Sequence, residues 1–511
     1  MNTNSLWLDS TPLPSFEPLA GNLGVEVAIV GGGITGLTTG LLLARSGKRV
    51  ALIEAERIGS GETGHTTAHL TTTLDLSYSD IISKFGKGEA HLVHDSRRFA
   101  LDALGQLARE YRANCDWREV DQYLFAETEE QYSGLQEEAQ AAASVGVEAE
   151  LVSHVPLPFA TLGAVRFRRQ AQFLPLAYLR TIAEAFVQAG GKIFEHTRVS
   201  DIVDGAPCTL ETLAGTIRAE QIVVATHSPI NNRFLLQTKL GSYRSYAIAA
   251  PMPDAPNGLF LEHADPYHYI RHQEVNGVTY LVVGGEDHKV GYEADTEKCF
   301  AALEAYTLAH FPSAHAVTHR WSGQIIQPVD GLPYIGTNPG SDHVYVATGF
   351  SGDGITSGTL SAFLITDLIG GHDNRFAALY APSRVNLLAS AKEFVKENAG
   401  TPVALVGDRL KRSDAQSLDA VPRGEGKIVR SHGERVAAYR DESDGLHLFS
   451  PVCPHMGCYV RWNNSEKSWD CPCHGSRFGC VSGEVLNGPA IAPLSKTKQG
   501  DTPPKPEPKH A

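Results

Sequence analysis

The chain is poor in three things. No apolar run approaches the roughly 18 residues that a membrane-crossing helix needs. Positive charge is scarce, with 44 Lys and Arg against 58 Asp and Glu for a formal net charge of −14. The basic residues are scattered, which argues against a nucleic-acid partner. Cysteine is sparse, with 8 in 511 residues, and Cys115, Cys208 and Cys299 stand alone. Such isolated thiols fit a reducing compartment. The opening stretch "MNTNSLWLDSTPLPSFEPLAG" has neither a basic n-region nor an apolar h-region, so no secretory signal is expected. A cytoplasmic chain follows as the expectation. The other five cysteines crowd between Cys453 and Cys480 and need a local reason.

The length is too great for one core and calls for two or three domains. The expected division is a leader over 1–22, a main unit over 23–380, a helix and linker over 381–420, a small unit over 421–495 and a disordered tail over 496–511. In the main unit "GVEVAIV" reads as a buried strand, "GGGITG" as a tight turn, "LTTGLLLARSG" as a helix and "KRVALIEAE" as a second strand. Residues 80–145 read as helical and charged, and 240–335 as strand-rich. From 421 onward short strands alternate with Gly-rich turns.

Gly31, Gly33 and Gly36 fill the G-x-G-x-x-G spacing between that first strand and helix. The first glycine permits the turn, the second lets a pyrophosphate approach the backbone, and the third lets helix pack on strand. The helix N-terminus then offers free N–H groups to phosphate. Glu54 closes the second strand, where a carboxylate accepts bonds from a ribose. A second Gly-rich strand–helix junction, "ATGFSGDGITSG", lies near the end of the main unit. A helix N-terminus there would stabilise negative charge on a reduced flavin.

"VAIVGGGITGLTTGLLLARSGKRVALIEA", "IVVAT", "WSGQIIQPVDGLPYIG" and "GFSGDGITSG" together resemble the D-amino-acid-oxidase-type FAD oxidoreductases, which include glycine and sarcosine oxidases. The resemblance spans roughly residues 20 to 375. It implies a Rossmann-type FAD-binding domain made from about 23–80, 170–230 and 335–380. An antiparallel substrate sheet from about 80–170 and 240–335 would roof the flavin. It also implies FAD contacts at Gly31, Gly33, Gly36, Glu54, Gly352 and Gly354, at Val199 and Thr226 on the adenine side, and at Thr66 and Thr67, beside His65, in "GHTTAHLT". No cysteine occurs between Cys299 and Cys453, so the FAD is expected to be non-covalent.

Cys453-x-His455 and Cys471-x-x-His474 supply two thiolates and two imidazoles from two loops. That set fits a tetrahedral Zn or a Rieske [2Fe–2S] cluster with two Cys on one iron and two His on the other. Cys458 and Cys473 hold matching places in the two loops, and a Zn site has no need of them. "CPHMGC" with "CPCHGS" resembles the electron-transfer Rieske proteins of respiratory cytochrome complexes. The resemblance implies Cys453, His455, Cys471 and His474 as ligands, a Cys458–Cys473 disulfide, a small all-β domain, and a solvent-facing histidine edge where an acceptor docks. Cys480 remains as a free thiol. Ser476 matches a family serine that bonds a cluster sulfur. Phe478 stands where high-potential relatives carry a tyrosine, which implies a lower potential here. A Rieske oxygenase would need a mononuclear-iron domain after the cluster, and only residues 481–511 follow Cys480.

A flavin takes two electrons together and gives them up singly, whereas a [2Fe–2S] cluster carries one. The fusion therefore implies an FAD-dependent dehydrogenase for a small amine or amino acid. It would hand electrons through the cluster to an external one-electron acceptor, a protein or a quinone. The alternatives are a redox relay without small-molecule substrate and an O₂-using amine oxidase. Tyr269 and Arg271 in "YHYIRH" alternate onto one strand face and are candidates for holding a substrate carboxylate. Lys289 resembles a family lysine above the flavin. His268 and His272 fall on the other face and read as structural.

Overall fold

The computed structural model describes residues 4–231, 236–385, 394, 396–397, 414–415, 417–431 and 433–497. The main unit holds two sheets. In the first, the strands Tyr334–Thr337, Val344–Thr348, Gly215–Val224, Leu23–Val30, Val50–Ile53 and Lys192–Phe194 lie side by side in that order. The four neighbouring pairs from Val344–Thr348 to Lys192–Phe194 are parallel. Val27, Ala28, Ile29, Leu52 and Ile53 are all fully buried or nearly so, as a sheet covered on both faces requires. Helix Ile34–Arg45 connects Leu23–Val30 to Val50–Ile53, and Gly354–Gly370 packs beside it. The approach is close: a Cβ on Gly358 would sit 2.6 Å from Thr35 Oγ1. The two helix N-termini therefore open towards the same space.

The second sheet runs His319–Pro328, Leu240–Pro251, Val278–Lys289, His268–Val275, Leu259–Glu262, Arg118–Ala126, Gly163–Gln172 and His69–Leu70. It is antiparallel except where Leu259–Glu262 meets Arg118–Ala126. The strand Arg118–Ala126 lies inside the stretch that reads as helical in the sequence. Its alternation of acidic and apolar residues is weak beside the long charged helices on either side, Lys87–Glu110 and Glu129–Ser144. Pairing with Gly163–Gln172, far along the chain, fixes it as a strand.

The leader is more than an overhang. Leu6–Ser10 is a short helix whose Leu6 and Trp7 enter the main core. Trp7 Nε1 donates to Thr66 O at 2.5 Å, and Trp321 Nε1 donates to His65 O at 2.9 Å. Two tryptophans from distant segments thus pin the "GHTTAH" loop.

The C-terminal unit has a three-stranded sheet (Glu425–Ser431, Glu434–Arg440, Leu446–Phe449) and a four-stranded one (Arg461–Asn463, Ser468–Asp470, Arg477–Gly479, Val485–Asn487). Its pairing continues to Lys496, which bridges Phe449. The helix expected near 387–400 and the linker over 401–420 fall largely outside the described residues, and so does the tail beyond 497.

Candidate functional site

A cavity of about 1020 Å³ runs between the two sheets. One end is lined by Gly31, Gly33, Glu54, Val199 and Thr226, the other by Thr66, Thr67, Gly352, Gly354 and Tyr269. Gly36 lies off the cavity. A Cβ there would meet Gly31 O at 2.0 Å, so its role is close packing of helix on turn. Gly31 has φ +113, and a Cβ on it would strike Ala225 O at 2.4 Å. Glu54 accepts from Gly32 N at 2.6 Å and Glu56 N at 2.9 Å, which fixes its carboxylate at the end of its strand. Burial raises its pKa, against those two bonds. This combination suits FAD. The volume suits a dinucleotide, two helix N-termini open into it, and a carboxylate stands where a ribose would lie.

Of the residues expected to hold substrate, only Tyr269 lines the cavity. Its hydroxyl bonds Ser245 Oγ at 2.8 Å. Arg271, two residues along the same face, is fully buried beyond the cavity. It donates to Ala68 O at 2.7 Å and to Phe173 O, and stacks over Trp7 at 5.4 Å. The pinned loop has closed over this position, so Arg271 serves backbone carbonyls. Lys289 is also off the cavity. It lies on the flank that meets the C-terminal unit, with Nζ 2.8 Å from a carboxylate oxygen of Glu397. His268 bonds Glu262 at 2.6 Å and His272 bonds Pro256 O at 3.0 Å, both structural contacts.

Instead of cations, carboxylates gather at the closed end. Asp75 and Asp353 line it, and Asp287 stands behind Tyr267, which donates to it at 2.7 Å. Asp75 accepts from Gly352 N at 2.8 Å. Asp353 pairs with the buried Arg97 at 3.1 Å. Burial pushes Asp353 up to about 7, with Arg97 opposing and Asp75 adding repulsion. Burial likewise raises Asp287 to about 6, and desolvation by the cavity walls raises Asp75, whose side chain is open to that space. No lysine lines the cavity among the described residues; of its arginines Arg198, Arg244 and Arg477 each face a carboxylate, and Arg57 donates to Leu13 O and Pro14 O. The sequence carried one faint sign of this: Arg97 falls at a core position of its helix, with Val93, Ala100, Leu101 and Leu104.

In the C-terminal unit the two Cys-His loops face each other. Each ends in a tight turn, with Gly457 N bonded to Cys453 O and Gly475 N to Cys471 O, both at 3.0 Å. Cys458 and Cys473 form a disulfide between the loops. Cys453 and Cys471 bring their thiols into hydrogen-bond contact. The rings of His455 and His474 lie 4.9 Å apart. His474 Nδ1 is buried without a hydrogen-bond partner, and burial, helped by Lys289, lowers its pKa to about 4. A neutral imidazole with an unused nitrogen beside paired thiols has the donor chemistry a [2Fe–2S] cluster requires. Ser476 bonds the Cys453 sulfur, and Phe478 is fully buried beneath.

The histidine edge is only partly open. His474 is 7% exposed, because its loop is seated on the main unit. Ser242 Oγ donates to His474 O at 2.9 Å and Gln324 Nε2 to Gly475 O at 2.8 Å. A Cβ on Gly475 would meet Ser242 Cβ at 2.4 Å. Nearby, Glu466 enters the main unit and takes Arg244 Nε at 2.9 Å and Nη2 at 2.6 Å, with Arg477 at 2.7 Å. Burial opposes ionisation of Glu466, yet the two guanidiniums hold its pKa down to about 2.

A two-sheet flavin fold joined to a small two-loop iron–sulfur domain defines the class: a flavin oxidoreductase carrying its own Rieske domain. Residues 26–368 match the family described as FAD dependent oxidoreductase, and residues 413–498 match the Rieske [2Fe-2S] domain. The chain belongs to that FAD-dependent oxidoreductase family, with FAD and a Rieske-type cluster as its cofactors. It is 36% identical over 494 residues, 96% of both chains, to YhfW of Bacillus subtilis (strain 168), designated a Rieske 2Fe-2S iron-sulfur protein. It is 23% identical over 382 residues, 71% of this chain and 88% of the relative, to the gamma-glutamylputrescine oxidoreductase of Escherichia coli (strain K12). The crystal structure of glycine oxidase from Geobacillus kaustophilus shares the fold, with a TM-score of 0.61 and 23% identity across 71% of this chain and 99% of that one. These relationships support an oxidoreductase of the amine or amino-acid oxidase type. Among the described residues no helix is long and apolar enough to cross a membrane.

Proposed function

We propose that the protein is a dehydrogenase for a small amine, and that its electrons leave singly through the Rieske domain to a one-electron acceptor, a protein or a quinone, in the cytoplasm. The observation that carries this reading is the seating of the second Cys-His loop on Ser242 and Gln324, from two strands whose neighbouring residues Arg244, Ser322 and Gly323 line the cavity. A Rieske domain appended for structure alone has no need of that position.

In this reading Gly31, Gly33 and Glu54 hold the adenosine-diphosphate half of FAD, with Val199 and Thr226 beside the adenine. Thr66, Thr67, Gly352 and Gly354 hold the flavin half. Cys453, His455, Cys471 and His474 hold the cluster. FAD accepts a hydride when bound, and the cluster carries one electron at a time. The chain's own residues do the rest. Asp75 and Asp353 hold the substrate as its ammonium form, and Asp75, open to the cavity, takes the nitrogen proton. Tyr269, fixed by Ser245, closes the roof and keeps water from the reacting carbon. The nitrogen of the ammonium loses one proton and the donor carbon a hydride, leaving an iminium ion that water hydrolyses to a carbonyl and a protonated amine. Two equivalents of a one-electron acceptor balance each turnover.

The acidic closed end favours amines without a neighbouring carboxylate over amino acids, because a carboxylate there meets Asp75 and Asp353, while Arg97 is already paired with Asp353 and does not line the cavity. The test is a turnover screen of secondary, N-methyl and primary amines against amino acids, with an artificial one-electron dye as acceptor. The reading expects amines to lead. Turnover of amino acids alone would contradict it. If no compound turns over while a chemical reductant reduces both cofactors, the relay reading stands in its place.

A further inference from the structure

The cavity is not made by the flavin domain alone. Glu484, Val485, Asn487, Gly488 and Ile491 of the Rieske domain line it, beside the end that carries Gly31, Glu54, Val199 and Thr226. We infer that this Rieske segment is a binding element for FAD, covering the adenosine-diphosphate half, so that the cofactor is held between the two domains.

The segment is built into the wall by specific bonds. Asn487 Nδ2 donates to Glu62 Oε1 at 2.9 Å, and Glu62 Oε2 accepts from Gln324 N at 2.6 Å. Arg477 Nη1 in turn holds Asn487 Oδ1 at 3.0 Å. Arg198 reaches across with Nη2, bonding Val485 O at 3.1 Å and Glu56 at 2.9 Å. Gly488 packs on Ser228, whose carbonyl accepts from Thr226 at 2.8 Å. Asn487, Arg198 and Glu62 therefore set the width of the cavity beside the dinucleotide turn.

The same segment is tied to the iron–sulfur site. Ala490 N donates to Ser476 Oγ at 3.0 Å, and Ser476 bonds the Cys453 sulfur. One hydroxyl thus joins the wall of the FAD cavity to a candidate cluster ligand. FAD in place braces the segment that braces the second loop. FAD leaves only when the Rieske domain lifts.

Hydrogen exchange on the full chain, with FAD and after FAD has been stripped, tests this directly. Protection of the amides of 484–491 on FAD binding, alongside those of 31–36, is the expected result. Protection of 31–36 with none at 484–491 overturns the inference and leaves the FAD site in the flavin domain intact. Protection at neither place overturns both. A second measurement uses FAD fluorescence to follow cofactor release. Asn487→Ala removes one bond to a charged carboxylate and is expected to speed release about tenfold. Asn487→Asp keeps an acceptor for Arg477 but turns the bond to Glu62 into a repulsion, and is expected to speed release as well, with the repulsive part suppressed by salt. Release at the wild-type rate in both variants overturns the inference.

Discussion

Replacing Glu466 with alanine removes the acceptor of two arginines at once. Arg244 is the one left stranded. Its side chain is 3% exposed, and it gives Glu466 both a 2.9 Å and a 2.6 Å bond. Without Glu466 its remaining hydrogen bonds go to Ser322, through Oγ at 2.6 Å and O at 3.3 Å, and only the more distant charges of Glu62 and Asp470 still attract it. Arg477 is less affected, because Asp470 remains 3.2 Å away. Removing one partner of a buried pair costs about 3–5 kcal/mol, chiefly because the other charge stays buried and uncompensated. That is roughly a hundredfold to several thousandfold in the equilibrium between docked and undocked domains. Urea titration of the FAD- and cluster-loaded protein, followed by flavin fluorescence and cluster absorbance together, reads the loss. The two signals are expected to move apart, with the flavin exposed first. An exposed pair such as Arg423–Asp444, with side chains 63% and 51% exposed, sets the lower comparison at about 0–1 kcal/mol. A loss for Glu466→Ala inside that range would refute the argument that the domains are locked by a buried ion pair. Acid supplies a check without mutation. Glu466 is held near about 2 against an ordinary 4.5, so its contribution is full above 4.5 and is lost as pH falls towards about 2.

Other consequences follow from the same geometry. Binding of a cationic amine is expected to tighten as pH rises through about 6 to about 7, because Asp287 and Asp353 become charged over that interval. A KM that stays flat across it would contradict the acidic reading of the closed end. Gly475→Ala puts a methyl group 2.4 Å from Ser242 Cβ at a residue with φ +79, so flavin-to-cluster transfer after flash reduction of the flavin is expected to slow at least tenfold, with the rate of flavin reduction unchanged. Ser476→Ala is expected to lower the cluster potential by removing a bond to the Cys453 sulfur, and Phe478→Tyr to raise it. Redox titration followed by EPR measures both, and an unmoved potential in either variant would contradict the corresponding assignment.

What was readable from the sequence was what short segments decide for themselves. Gly31, Gly33, Gly36 and Glu54 are set by one strand, one turn and one helix. The two Cys-His loops each close on their own backbone at Gly457 and Gly475. The closed end is different in kind. Asp75, Asp287 and Asp353 come from three distant segments, and nothing near each one signals the others. Arg271 illustrates the converse. Strand alternation gave it the same face as Tyr269, but a tryptophan from the leader and the loop it pins decide where the cavity stops. The docking of the domains lay beyond local pattern as well, since Glu466 meets Arg244 across more than two hundred residues of chain.

The central claim is that reducing equivalents pass from an amine through FAD to the Rieske cluster within one chain. The most direct measurement is an anaerobic titration with an amine that turns over, following flavin bleaching by absorbance and the cluster by EPR on the same samples. The account predicts a Rieske signal that appears after flavin bleaching and at a rate independent of protein concentration. A bleached flavin beside a cluster that stays oxidised, although a chemical reductant reduces it, would contradict the account.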